Sequence, residues 1–178
     1  SNLIYCTYLE GTSFCGGTIM NSIDVARSGA VVVGGQTGCL TSFPTTPGSF
    51  MPTSTYALST LTRLDPTGST LEWSTFFPSN PTIRDLIVDE FDEVTFTGEV
   101  GGLFAQFPIT PGVFGQTLPS VSDPSIFVTR MNASGSALVW STFVSIGSPR
   151  ALALDGERGV VVAGKTASLN FLVTPGAF

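Results

Sequence analysis

Histidine is missing from this chain, and lysine occurs once, at Lys165. Without histidine there is no His-dependent nucleophilic triad and no Cys/His zinc site of the usual kind. Charge of either sign is scarce, at 11% of residues against roughly 25% in ordinary soluble domains. The seven basic residues are scattered and form no patch, which makes nucleic acid a poor partner. No apolar run approaches the roughly 18 residues of a membrane-spanning helix, so membrane insertion is not expected. No signal peptide is visible, as in a mature or trimmed product. Helical periodicity is also nearly absent: no long segment keeps apolar residues at i, i+3, i+4 and i+7.

The chain does have apolar material, at 42% of residues, and a net charge of −6. One domain with a sizeable core follows from 178 residues of this composition. The surface must consist largely of Ser, Thr, Gly, Gln and Asn. Such an acidic, Lys-poor surface points to an extracellular or cell-surface protein.

Short β-branched and aromatic runs alternate with Gly, Pro, Asp and Ser turns, the pattern of an all-β domain. An eight-residue phrase recurs as "FPTTPGSF" (43–50), "FPITPGVF" (107–114) and "FLVTPGAF" (171–178), so that Phe50, Phe114 and Phe178 fall 64 residues apart. A fixed long period is the mark of a repeat architecture. Other phrases repeat in step. "STLTRLDPTGSTLEWSTF" (59–76) matches "SIFVTRMNASGSALVWSTF" (125–143), and the chain begins with the cut form "LIYCTYL" (3–9), with Tyr5 in the place of Trp73 and Trp140. "SIDVARSGAVVVGGQT", "DLIVDEFDEVTFTGEV" and "ALALDGERGVVVAGKT" each read strand, tight turn, strand, Gly.

One unit therefore holds four strands, A to D. The expected fold is a β-propeller-like array of four-stranded antiparallel blades, about three repeats of 64 residues in a single domain, with units ending near 50, 114 and 178. The A–B and C–D turns are expected to be short and the D–A and B–C connections long, giving one short-turned and one loop-rich face. In the phrase, Pro47, Pro111 and Pro175 preset φ for a turn, while Gly48, Gly112 and Gly176 accept positive φ. The flanking Phe43 and Phe50, Phe107 and Phe114, and the closing Phe178 are expected to tie the loop down by burial. Two blades are complete and the third lacks strand C. Either the sequence is a piece of a longer chain, the favoured reading, or further copies complete the array by oligomerisation.

These phrases resemble the SBBP repeat family, a β-propeller repeat of bacterial surface and secreted proteins. The likeness lies in "IFVTRMNASGSALVWSTF", "ALALDGERGVVVAG" and "FPTTPGSF", and it covers almost the whole chain. It implies a propeller fold, an extracytoplasmic setting and no catalytic residues. The Gly- and Asp-rich segment usual before strand A is replaced here by "GTSFCGGTIMN", "PSNPTIR" and "VSIGSPR", which puts in doubt any ion that segment binds.

Few residues offer chemistry. Asp89, Glu90, Asp92 and Glu93 form the densest acidic group, readable as a Ca²⁺ loop or, more simply, as a solvated A–B turn. Trp73 and Trp140 could stack sugars, but repetition at one strand position favours packing between blades. Arg63 and Arg130 end strand C and suit pairing with a carboxylate or with loop carbonyls. Cys15 and Cys39 fall in two loops of one unit on the same edge, where a disulfide is sensible. Cys6 reads as a buried thiol, and three free thiols are the alternative. Glu10 and Glu99 enter the long loops and are the weak candidates for a carboxylate hydrolase. The expectation is a non-enzymatic surface module without cofactor or metal. Its partners would be other blades or copies, with a glycan or peptide on the loop-rich face, near residues 101–124, as the alternative.

Overall fold

A computed structural model describes residues 3–12, 16–56, 58–101, 107–120, 122–169, 171 and 173–177. It contains ten strands and, among the described residues, no helix. Sheet I orders β1 (Thr18–Val25), β2 (Val31–Thr37), β3 (Ser59–Leu64) and β4 (Leu71–Phe77) side by side. Sheet II repeats the order with β5 (Thr82–Val88), β6 (Val94–Val100), β7 (Ser125–Met131) and β8 (Leu138–Ile146). Sheet III pairs β9 (Ser148–Leu154) with β10 (Val160–Lys165). Every pairing is antiparallel. Strands A to D are thus β1–β4, then β5–β8, then β9 and β10 alone.

The first strand of each sheet carries the same irregularity. The ladder skips Asn21 in β1, Arg84 in β5 and Arg150 in β9. A bulge adds one residue and bends the strand. It presses the carbonyl of Ile19, Thr82 or Ser148 against Gly35, Gly98 or Gly164 of the neighbouring strand, where a Cβ would collide with that oxygen. The glycine that closes each strand–turn–strand phrase is therefore a packing requirement of the bulge.

The sheets pack face on face. β5 lies against β1 and β2, and β9 lies against β5 and β6. Between sheets I and II the core is aromatic. Phe77 meets Phe96 edge to face at 5.2 Å and Phe107 at 5.6 Å, and Phe107 meets Phe127 at 4.6 Å and Phe143 at 5.3 Å. Ring pairs at 4.5–7 Å add roughly 0.5–1.5 kcal/mol each beyond their area burial.

Two expectations change. The D–A connections are short, residues 78–81 and Gly147 alone, because β4, β5, β8 and β9 run further than the apolar text suggests. The loop-rich face is built by the B–C connections, residues 38–58 and 101–124. Residues 3–9 form no strand, although Tyr5 takes the position of a strand-D aromatic, as described next.

Candidate functional site

The polar groups of this protein converge on the seams between sheets. Strand A of sheets I and II offers a side-chain acceptor to the backbone of the next sheet. Ser22 Oγ accepts the Leu86 N–H at 3.0 Å and donates to Asp85 Oδ1 at 3.0 Å. Asp24 Oδ2 accepts the Val88 N–H at 2.8 Å, and Asp85 Oδ2 accepts the Leu152 N–H at 2.7 Å. Ser22 and Asp85 hold equivalent places, and both receive the amide one step further along the next strand A. These N–H groups face away from their own ladders and need side-chain acceptors in a packed seam; the Leu86 N–H also reaches Asp85 Oδ1 at 3.0 Å. The sequence signal was present in the polar residue opening "SIDV" and "DLIV". Its use was invisible because it depends on the neighbouring sheet.

At the short-turned end, the A–B turns form an ionic chain. Arg158, with φ of 65°, reaches back from sheet III to the Asp89 and Glu93 carboxylates of sheet II. Its guanidinium also lies 4.6 Å over the Phe91 ring. The Glu93 carboxylate is the main cause that raises the Arg158 pKa above its ordinary value, with Asp89 adding to it. Arg27 of sheet I approaches Glu90 at 3.7 Å. Asp89 also ties its own turn, accepting the Phe91 and Glu93 N–H groups at 2.9 and 3.0 Å. The acidic group read as either a Ca²⁺ loop or a solvated turn is thus a receptor for arginines from the sheets on both sides.

Arg63 and Arg130 continue this pattern. Buried Arg63 pairs with Glu72 at 2.6 Å and crosses the seam to Asp92 at 3.0 Å. Arg130 donates to Thr95 Oγ1 at 2.8 Å and to the Arg158 carbonyl at 3.1 Å. Burial, then the nearby Arg158 charge, lowers the Arg130 pKa from its ordinary value. One arginine takes a carboxylate and the other a loop carbonyl at the same place of the next turn.

Trp73 is a packing residue. Its ring covers Gly135 in the C–D turn of sheet II, where a Cβ would run into the ring, and its Nε1 donates to the Ala133 carbonyl at 2.9 Å. Tyr5 covers Gly68 in the C–D turn of sheet I in the same way. Trp140 is half-buried, with the Arg130 guanidinium 5.3 Å from its ring centre. Among the described residues sheet III offers no C–D turn for this ring to cover.

The Thr-Pro-Gly phrase has a function beyond turning. Gly48, Gly112 and Gly176 take φ of 81°, 81° and 83°, and Pro47, Pro111 and Pro175 stand exposed beside them. The preceding threonine laces the loop to the outer edge of strand D. The Thr46 N–H donates to the Ser74 carbonyl at 3.0 Å, and the Ser74 N–H donates back to Thr46 Oγ1 at 3.0 Å. Thr110 and Ser141 repeat the exchange at 3.1 and 3.0 Å. Further along, the Met51 and Gly115 N–H groups donate to Thr75 and Thr142 Oγ1 at 2.7 and 2.9 Å. The phrase thereby covers a sheet edge that would be open to foreign strands. The threonine of each copy and the Ser-Thr after each tryptophan were the overlooked signal.

The phenylalanine pairs are only partly as expected. Phe43 packs on Phe76, Phe50 stacks on Phe77 at 5.7 Å, and Phe107 lies in the aromatic core. Phe114 is 76% exposed and ties nothing down, because Gly115 follows it into the strand-D edge and leaves its ring outside. Phe178 lies outside the described residues, as does Cys15. Cys39 is disulfide-bonded, which removes the alternative of three free thiols. Cys6 is a free and exposed thiol, not a buried one, because residues 3–9 run outside any sheet.

The two carboxylates nominated for hydrolysis sit in different surroundings. Glu99 is paired with Arg84. Burial pushes its pKa up, but the Ser148 hydrogen bond and the Arg84 charge outweigh this and hold it below the ordinary value. Glu10 is exposed. On the loop-rich face a cleft of about 520 Å³ lies among Asp123, Ile146, Ser148, Lys165, Thr166 and Ser168. No protein-family model matches this chain, and no curated protein matches it.

Proposed function

We propose that this chain is a β-propeller-like repeat module, of the SBBP type its phrases resemble, whose work is structural. It serves as a scaffold, assembly or adhesion unit in an extracellular or cell-surface setting. The observation that carries this reading is the reuse of one seam. Asp24, Asp85, Asp89, Arg63, Arg130 and Arg158 all bond across or along the junctions between sheets. About half of the few charged side chains thus help to join one sheet to the next. A catalytic centre would need unique, unspent groups at one place, and equivalent positions here do equivalent work.

The cysteines fit the same setting. Cys39 is disulfide-bonded, and its proposed partner is Cys15, a pairing suited to an oxidising compartment. Peptide mapping after alkylation tests this: labelling of Cys15 without prior reduction refutes the pairing.

A second reading is glycan or peptide binding in the cleft that holds Asp123 and Lys165, the sole lysine. Two panels decide between the readings. One is a set of fluorogenic glycosidase, esterase and peptidase substrates; the other is a glycan and peptide array. The structural reading expects no turnover and no saturable hits. Turnover that a carboxylate substitution abolishes would sink it. Saturable binding that Lys165→Ala removes would transfer the function to the cleft.

A further inference from the structure

Two exposed faces among the described sheets repeat the two halves of a seam that the chain already makes twice. Each seam sets strand A of one sheet on strands A and B of the sheet before it. In the first seam Leu86 is 2% exposed and lies over Gly34, so close that a Cβ there would sit 3.0 Å from Cδ2 of the leucine. Its counterpart in sheet III, Leu152, is 7% exposed. The counterpart in sheet I is Ile23, which is 65% exposed, and Ile19 and Val25 beside it are exposed too. Ile23, Val31, Val33 and Leu64 line a groove of about 620 Å³ together with Tyr5, Tyr8, Leu9 and Glu10 of the chain's own N-terminal segment. In sheet III, Val161 of β10 is 58% exposed, while its counterparts Val32 and Thr95 are fully buried by the following sheet. Ala163 stands where Gly34 receives Leu86.

We propose that the β1 face of one copy of this chain docks on the β9–β10 face of a second copy, head to tail, with Ile23 seated over Ala163. The proposal rests on the assembly reading and names its partner. The occupant is a second copy because each face is shaped for the other. Strands A and B are the elements that receive the next strand A in both internal seams, and β9 and β10 are those elements. Small residues on the receiving face and a branched aliphatic on the docking face match the internal pairing of Gly34 with Leu86. One component differs. Ala151 holds the place of Ser22 and Asp85, so the new seam has no side-chain acceptor for the Ile23 N–H. The association is accordingly weaker than the internal seams and reversible. Because the two faces differ, the contact is heterologous and builds a ring or a filament.

Sedimentation velocity of the intact chain tests this, with two variants at exposed positions, Ile23→Glu and Val161→Glu, whose folding is checked by circular dichroism. The wild type is expected to gain mass with concentration. Each variant alone is expected to stay monomeric, having lost one face. An equimolar mixture is expected to form dimers and nothing larger, because each variant keeps the face the other lacks. Ile19→Glu replaces Ile23→Glu if the latter fails to fold, and Ala163→Glu replaces Val161→Glu. A wild type that is monomeric up to about 1 mM overturns the proposal. So does association that neither face variant disturbs, or a mixture that gives no dimer. A monomer would leave the scaffold reading standing, since the substrate and array panels test that reading independently.

Discussion

Gly98 shows how tightly single residues are specified. The carbonyl of Thr82, pushed forward by the bulge at Arg84, occupies the space a Cβ would need. Gly98→Ala is therefore expected to cost roughly 1–3 kcal/mol in urea unfolding, as overpacking does. The aromatics divide by burial. Trp73→Ala removes a buried ring and its hydrogen bond to the Ala133 carbonyl, so a loss of about 3–5 kcal/mol is expected. Phe107→Ala belongs in the same range, while Phe114→Ser, at an exposed ring, is expected to fall within about 0.5 kcal/mol of wild type. The same chemical phrase thus predicts opposite outcomes for its two phenylalanines. Sequence repetition marked both as equal, and only the position of each ring against the core separates them.

Turns and strands carry the next level of prediction. Asp65 caps the C–D turn of sheet I, and the Thr67 hydroxyl, followed by the N–H groups of Thr70, Thr67 and Ser69, holds its pKa well below the ordinary carboxylate value. A carboxylate depressed in the folded state adds stability that is complete above its unfolded pKa, near 4, and is lost as pH falls towards the folded value. The melting-temperature gap between wild type and Asp65→Ala is expected to be widest near about pH 6 and to narrow below about pH 4. In sheet II the equivalent residue is Asn132, whose Oδ1 accepts the Ser136 and Ala137 N–H groups at 3.0 and 3.2 Å, so that turn keeps its cap in acid. In strand A, Asp85→Ala strips the acceptor from the Leu152 N–H, and a loss of about 1–3 kcal/mol is expected by chemical denaturation. The four-strand order, the short A–B and C–D turns and the phase of the repeat were legible in the text, because turn residues and alternation are local signals. The lengths of the D–A links were not. Strand β5 is extended by Thr82, Ile83 and Arg84, β8 by Val144, Ser145 and Ile146, and β9 by Ser148, Pro149 and Arg150, whose pairing depends on the neighbouring strand.

At the scale of the whole molecule, amino-acid order by itself determined an all-β protein built from four-stranded units with a 64-residue period, poor in charge and without histidine chemistry. Those properties follow from periodicity, turn residues and composition, each of which acts over a few residues. Only the tertiary structure decided where the scarce charges go. Arg63 and Arg130 bond within their own sheets and also to the next one, and Arg158 bonds to the sheet before. Likewise Ile23, Leu86 and Leu152 read as three equal apolar positions in strand A. Packing buries two of them and exposes the third, because burial requires a preceding sheet and sheet I has none among the described residues. A repeat specifies every seam alike; the arrangement of sheets in space determines which seams are filled and which remain open to a partner.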